Sequence, residues 1–299
     1  VGEQNFGPSE SSEPGMGETV FRWIVGLGAG FRPDPRVLKR PQGGMVETGG
    51  RILVTDVGNG AVFVFDSSRG KLFVWEGADA GAAFSAPVGI AAGPDGEILV
   101  ADADLQRVVR LSGDGTPLGS FGRDVLIRPT GLARDPLRGR IYVVDTRAHD
   151  IKVFDDTGIL LSRIGRRGTA PGEFNAPTHI TLVQDRLYVT DTLNARVQVL
   201  TTEGEPVKSV GRRGLYVGNL TRPKGVTVDN DGNVYVVESY YDHLLVFSQE
   251  GELLLPIGGT GAAIGQFYLP AGVWSDERGR LFVADMYNGR VVIFQYLGG

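Results

Sequence analysis

The stretch RLYVTDTLNARVQVL, residues 186–200, decides the fold because close copies of it recur along the chain. Five other segments, such as RLFVADMYNGRVVIF at residues 280–294, share its plan of an apolar run, an acidic residue, a polar turn and a second apolar run. The acidic residues are Asp56, Asp102, Asp145, Asp191, Glu238 and Asp285. Their successive separations lie between 43 and 47 residues, so the chain is an array of six repeats.

Other phrases recur around each copy and divide every repeat into four short strands. A proline phrase such as RPTGLA or APTHIT precedes the copy, and a glycine-rich phrase such as SVGRRGLYVGNL follows it. Turn signals such as GPDG and DNDG separate the apolar runs. The second run of each repeat is continuously apolar, which suits a sheet that is packed on both faces. The pattern predicts an all-β chain folded as a β-propeller.

Composition agrees with a globular β protein and excludes several classes of chemistry. The 299 residues are 41% hydrophobic and 22% charged, and 45 of them are glycine. With no cysteine, the chain has no disulfide, thiolate metal site or thiol nucleophile. No apolar run approaches the roughly 20 residues of a membrane helix, so we expect a soluble chain without membrane insertion. From the polar start at Val1 without methionine we expect a processed or trimmed N-terminus, and a removed export signal would fit.

The repeats resemble the NHL family. The shared pattern is Pro-x-Gly-Ile/Val, then Tyr/Phe-Val-x-Asp-x-x-Asn-x-Arg-Val-x-Val-Phe, with Gly-x-x-Gly-x-x-x-Gly-x-Phe between copies. YVTDTLNARVQVL and FVADMYNGRVVIF match it closely, and the resemblance covers almost the whole chain after residue 18. It implies a six-bladed β-propeller of four-stranded antiparallel blades.

The repeat boundaries predict one domain and a way to close it. Residues 1–17 are expected to be flexible, and residues 18–299 to form a single propeller. The sixth copy stops after its third strand, so the apolar segment 18–26 is predicted to add the outer strand of blade 6 and remove an exposed edge. The predicted blades cover approximately 41–77, 87–122, 129–165, 177–211, 223–258 and 270–297.

The six repeated acids are predicted to be structural. Carboxylates that converge on a channel can bind metal or act as bases. An acid that recurs in every blade, followed five residues later by arginine at Arg107, Arg196 and Arg290, is more simply explained as a turn anchor. Likewise, the glycine after each proline is expected to permit close backbone approach near the axis.

His179 stands where the other five repeats have this glycine, and it is the residue most open to a catalytic interpretation. Lactonase-type propellers assemble several Asp, Asn or Glu ligands, and no comparable set occurs here. The amidating-lyase relatives of the NHL repeat use several histidines around one metal, whereas this chain has three, with His149 and His243 in outer turns. We therefore expect no metal, no cofactor and no catalytic set, and we predict that His179 faces the mouth of the central channel.

A local basic patch is the other candidate site on a chain whose net charge is −5. The top-face segments between residues 163 and 224 carry eight basic residues against Glu173 and Asp191. The basic residues are Arg163, Arg166, Arg167, Arg196, Arg212, Arg213, Arg222 and Lys224. Tyr240 and Tyr241 lie on the same rim, and tyrosine and arginine are favoured in protein interfaces.

These features predict a non-enzymatic protein-interaction scaffold. The proposed surface consists of Arg166, Arg167, Arg212, Arg213, Lys224, Tyr240 and Tyr241 together with His179. The partner would be another protein or protein assembly, and the setting an extracytoplasmic assembly, periplasmic or secreted, in a prokaryote. Two alternatives stay open: a metal-dependent lyase or hydrolase at the channel mouth near His179, and a basic surface that binds RNA or another polyanion.

Overall fold

A computed structural model describes residues 38–79 and 81–295. In sequence order, the strands form five four-stranded antiparallel sheets and a sixth sheet of which three strands are described. The described helical structure is two single 3-10 turns, Pro94–Gly96 and Thr192–Asn194. The predicted flexible segment 1–17 and the predicted closing strand 18–26 lie outside the described residues.

The strands follow the repeats blade by blade. Blade 1 consists of β1 (Pro41–Val46), β2 (Ile52–Asp56), β3 (Ala61–Asp66) and β4 (Lys71–Trp75), and a small hairpin of β5 (Gly77–Asp79) and β6 (Ala82–Ala83) follows it. Blade 2 consists of β7 (Pro87–Ala92), β8 (Ile98–Asp102), β9 (Arg107–Leu111) and β10 (Pro117–Phe121). Blade 3 consists of β11 (Pro129–Asp135), β12 (Arg140–Asp145), β13 (Asp150–Asp155) and β14 (Leu160–Ile164).

The second half of the chain repeats this order. Blade 4 consists of β15 (Pro177–Val183), β16 (Arg186–Asp191), β17 (Arg196–Thr201) and β18 (Pro206–Val210). Blade 5 consists of β19 (Pro223–Val228), β20 (Val234–Glu238), β21 (His243–Phe247) and β22 (Leu253–Gly258). The described part of blade 6 consists of β23 (Val273–Ser275), β24 (Arg280–Asp285) and β25 (Arg290–Gln295).

Apolar side chains pack between neighbouring blades and account for the continuously apolar second strands. Every residue of β2 is buried, as the pattern of a sheet covered on both faces predicts. Trp274 and Phe282 of blade 6 pack in one cluster with Ile52 and Phe63 of blade 1. Blade 6 therefore contacts blade 1, and the prediction of an all-β, six-bladed propeller is confirmed.

The strand register defines one functional face. In blade 4, Pro177 pairs with Asp191 and Asp191 with Arg196, while Val197 pairs with Val210. The start of the innermost strand, the turn between the second and third strands and the link to the next blade therefore lie at the same end of the sheet. We call this end, taken over all blades, the top face.

Glycine follows the opening proline phrase where innermost strands meet beside the axis. A side chain on Gly89 would overlap the carbonyl oxygen of Thr130 in the next blade, and one on Gly272 would overlap that of Gln42. At Gly131 the added Cβ would lie 2.9 Å from Cα of His179. Close approach of neighbouring backbones therefore requires glycine here.

Gly89→Ala should consequently lower the free energy of unfolding by about 1–3 kcal/mol, because the new methyl forces two blades apart. Chemical denaturation measures the change. Gly49→Ala is the matched control, since a Cβ at Gly49 meets nothing within 4 Å. Equal stability of the two variants would show that the blades separate freely at the axis.

Candidate functional site on the top face

The six repeated carboxylates anchor the top face from inside the molecule. Asp191 accepts hydrogen bonds from the backbone of Asn175 at 2.6 Å, from Nδ2 of Asn194 at 2.8 Å and from Nε of Arg196 at 2.9 Å. The other five also accept from backbone amides of the segment just before their own blade. All six are at most 1% exposed. These carboxylates hold the link and the turn together, and their buried oxygens face backbone rather than solvent.

The cation beside each carboxylate differs between blades. Arg196 and Arg290 pair with the acid five residues earlier, at 2.9 and 2.8 Å. Arg107 was expected to pair with Asp102 in the same way, but its Nη1 lies 3.0 Å from Asp79 instead. Asp79 belongs to the β5–β6 hairpin, which the repeat pattern does not contain, so the repeat could not predict this partner.

In blade 3 the cation comes from Lys152. Its ammonium lies 3.2 Å from Asp145 and 2.6 Å from Asp150, and the lysine side chain is 2% exposed. Asp150 stands where blade 4 has Arg196, and Lys152 stands where blade 4 has Gln198. In blade 3, a buried acid–lysine–acid group therefore replaces the acid–arginine pair of blade 4.

The structure places His179 at the central cavity. Residues from all six blades line this cavity of about 120 Å³, including Gly43, Gly89, Gly131, His179 and Trp274. Both ring nitrogens of His179 are buried and have no hydrogen-bond partner among the described residues. Burial, and secondly the charge of Lys224, lower the pKa of the imidazole to about 3. The ring is therefore neutral at physiological pH.

Lys224 is less exposed than the basic patch predicted. Its side chain is half-buried, and burial followed by the charge of Arg222 lowers the pKa of its ammonium. Within residues 38–79 and 81–295, neither a hydrogen bond nor an ion pair reaches this ammonium. Lys224 thus lies near enough to His179 for its charge to act on the imidazole, although it is not part of the cavity lining.

The other arginines divide into engaged and exposed groups. Arg166 pairs with Glu173 at 2.9 Å, and Arg196 donates to Asp191 and to the carbonyls of Ala170 and Glu173. The side chain of Arg166 is still 81% exposed, and the other exposed arginines are Arg163, Arg167, Arg212, Arg213 and Arg222. Arg213 also donates to the carbonyl of Leu193. The patch is consequently less basic in its free charge than its sequence indicates.

An apolar and aromatic surface on the top face was missed in the sequence. Leu215, Tyr216 and Val217, at the tip of the link between blades 4 and 5, are 78%, 83% and 64% exposed. The corresponding tip between blades 3 and 4 carries Thr-Ala-Pro. Three large apolar residues in a surface link were the available signal.

Two tyrosine pairs lie on the same face. Tyr240 and Tyr241 meet edge to face with ring centres 4.9 Å apart, and the rings of Tyr268 and Tyr287 are tilted by 60° with centres 5.2 Å apart. Tyr240, Tyr268 and Tyr287 remain 58%, 45% and 59% exposed. Exposed aromatic residues therefore extend beyond the predicted blades 3–5 into blade 6.

The three histidines do not form a metal centre. Nδ1 of His149 accepts a hydrogen bond from the backbone of Ala176 at 2.9 Å, and His243 begins β21. Across the described part of the chain, no three His, Asp or Glu side chains are close enough to share a metal ion. His179 has no companion ligand in this set.

The described residues include no helix that is long and apolar enough to cross a membrane.

Comparison with known proteins agrees with this architecture. A family model described as a 6-bladed beta-propeller matches residues 133–183. The human E3 ubiquitin-protein ligase NHLRC1 is 34% identical over 64 residues, which cover 21% of this chain and 16% of that protein. The chain is a six-bladed β-propeller, and its repeats are similar to those of the NHL family.

Two further proteins are similar to this chain, one in sequence and one in fold. Peptidyl-glycine alpha-amidating monooxygenase A of Xenopus laevis is 29% identical over 138 residues, covering 42% of the propeller and 14% of that protein. Both curated matches therefore span a small fraction of the relative. The crystal structure of virginiamycin B lyase from Staphylococcus aureus has a TM-score of 0.62 at 17% identity over 88% of both chains. This last likeness shows the fold alone.

Proposed function

We propose that the propeller is a non-enzymatic scaffold that binds another protein through its top face. The observation that carries this proposal is the exposed tip Leu215–Tyr216–Val217 beside Arg212 and Arg213. Large exposed apolar side chains are unfavourable in water, and tyrosine and arginine dominate the energetics of protein interfaces. The partner surface would therefore be apolar at its centre and acidic at its edge.

The position of the tip supports the same function. The links between blades 3 and 4, 4 and 5, and 5 and 6 share one geometry, with bridges Arg167 to Phe174, Arg213 to Leu220 and Thr260 to Phe267. The three closing residues Phe174, Leu220 and Phe267 are fully buried. A fixed base presents each tip in a defined orientation, and preorganised surfaces bind at a lower entropic cost.

Two competing functions have weaker support. A metal-dependent lyase or hydrolase near His179 would need further ligands, and the described residues bring none to it. Binding of RNA or another polyanion would need free basic charge, and Arg166 and Arg196 are already engaged. The extracytoplasmic location stays a prediction.

Replacing Leu215 and Tyr216 together by serine should reduce recovery of the bound protein at least about tenfold, because the central apolar contacts are lost. The measurement is quantitative mass spectrometry after affinity capture from extracts of the source organism. Leu137→Ser is the matched control, since Leu137 is 90% exposed on the turn after β11, at the opposite end of blade 3.

A second variant separates the contribution of charge. Arg212→Glu with Arg213→Glu should also reduce recovery, and the loss should be greater at low salt than at high salt. Equal recovery from the parent, the serine variant and the charge variant would remove the top face as the binding surface. Nucleic acid recovered in place of protein would favour the polyanion alternative.

A further inference from the structure

The junction between blades 4 and 5 differs from the other junctions at the channel. At the equivalent places in other blades, the glycine lies directly against the backbone of the next innermost strand. Gly89 lies against Thr130 in this way, and Gly272 lies against Gln42. The residue that follows the opening proline of blade 5 is Lys224. His179 therefore lies against the strand segment that carries Lys224, and two side chains with polar nitrogens occupy one junction.

The polar groups at this junction are unsatisfied. Neither ring nitrogen of His179 has a hydrogen-bond partner among the described residues, although both are buried. Within the same residues the Lys224 ammonium has no carboxylate partner. Buried polar groups such as the His179 nitrogens are normally hydrogen-bonded, and a half-buried cation such as Lys224 is stabilised by a counter-charge. A ligand that accepts hydrogen bonds and carries negative charge would satisfy both side chains.

The cavity has the size and composition for such a ligand. Its volume is about 120 Å³, and its lining includes no carboxylate side chain among the described residues. A buried water needs about 10–15 Å³ of space measured in this way, so the cavity holds a small solute. Nε1 of Trp274, which also lines the cavity, is another buried donor without a partner in the described chain.

We propose that the channel mouth between His179 and Lys224 binds a small oxyanion, with a carboxylate as the best fit. The Lys224 ammonium supplies the charge, and an imidazole N–H of His179 donates a directed hydrogen bond. A metal cation is disfavoured because Lys224 would repel it and no acidic ligand faces it. This site goes beyond the protein-binding function, since it uses none of the residues of the exposed tip.

Histidine-labelled protein provides a direct measurement because the chain has only three histidines. Carbon-13 imidazole spectra are recorded while sodium acetate is added, with sodium phosphate in a second titration and sodium chloride at matched ionic strength as the control. We expect a saturable shift of the His179 signal with acetate, while His149 and His243 stay unchanged. Because an anion stabilises the protonated ring, acetate should also raise the pKa of His179 above about 3.

Two variants test the assignment. Lys224→Met keeps an unbranched stem without charge and should weaken acetate binding at least about tenfold. His179→Gly restores the residue of the other five repeats and should abolish binding measured by calorimetry. Unchanged His149 and His243 signals show that each variant is folded.

The source of the carboxylate is resolved with a second probe. A short glutamate-containing peptide is compared with acetate at the same concentrations. Saturation by acetate alone assigns the site to a free solute, and saturation by the peptide assigns it to an acidic side chain of a partner. A His179 signal that does not respond to acetate, phosphate or peptide up to about 100 mM, or that responds equally to chloride, overturns the proposal.

Discussion

Lys152→Met should lower the free energy of unfolding by about 3–5 kcal/mol, because it leaves two buried carboxylates without their cation. Lys152 contacts both Asp145 and Asp150 inside blade 3, and Asp145 also accepts backbone hydrogen bonds from the segment before that blade. Loss of the ammonium leaves two acids of like charge close together in a site closed to water. Urea denaturation followed by tryptophan fluorescence measures the effect.

Blade 4 provides the matched control for this experiment. The double change Asp150→Arg with Lys152→Gln copies the arrangement of Asp191, Arg196 and Gln198 into blade 3. It should recover most of the stability that Lys152→Met loses, since arginine at the first position can reach Asp145 as Arg196 reaches Asp191. If the single and double variants were equally unstable, the carboxylate–cation contact would not be the cause.

Replacement of His179 by glycine should make the propeller less sensitive to acid. The folded imidazole has a pKa of about 3, whereas histidine in an unfolded chain titrates near 6.5. The unfolded state therefore binds the proton first, and the parent loses stability as the pH falls from 6.5 towards 3. Between pH 7.5 and pH 5 this one group should remove about 2 kcal/mol from the parent, and the variant should keep that amount.

The measurement is the free energy of unfolding in urea at the two pH values for parent and variant. His179→Asn is the companion variant, because it keeps a polar side chain but gains no proton in this range. Both variants should show the same flatter dependence on pH. A variant slope as steep as that of the parent would mean that His179 is not the buried neutral group described here.

The blade plan could be derived from the chain because each repeat carries its own local signals. Opening proline, buried acid and turn glycine recur together, so spacing alone predicts the strands of blades 1–5 and the start of the link. Contacts made by residues outside the repeat could not be predicted from the spacing. Asp79 captures Arg107 from a hairpin that only one link contains.

Prediction of the site was limited for a different physical reason. Lys224 looks like an exposed rim cation in sequence, but its side chain is half-buried, and this burial depends on how closely blades 4 and 5 approach. Arg166 looks free until Glu173 folds back on it. The burial of a basic side chain and its pairing across a link depend on the packed structure. A sequence rich in basic residues therefore overstates the exposed charge. In contrast, Leu215–Val217 could have been recognised by comparing the three links.

The links share one base, so the residues at their tips differ while the fold of the propeller stays the same. Between the same two fixed points, the chain displays Thr-Ala-Pro in one link, Leu-Tyr-Val in the next and Ala-Ala-Ile in the third. The three residues of one tip can therefore be replaced without changing a strand or an anchoring carboxylate. A tip moved from one link to another should adopt the same orientation. Exchanging tips can therefore change which partner the top face binds, as when a binding loop is exchanged on a rigid domain.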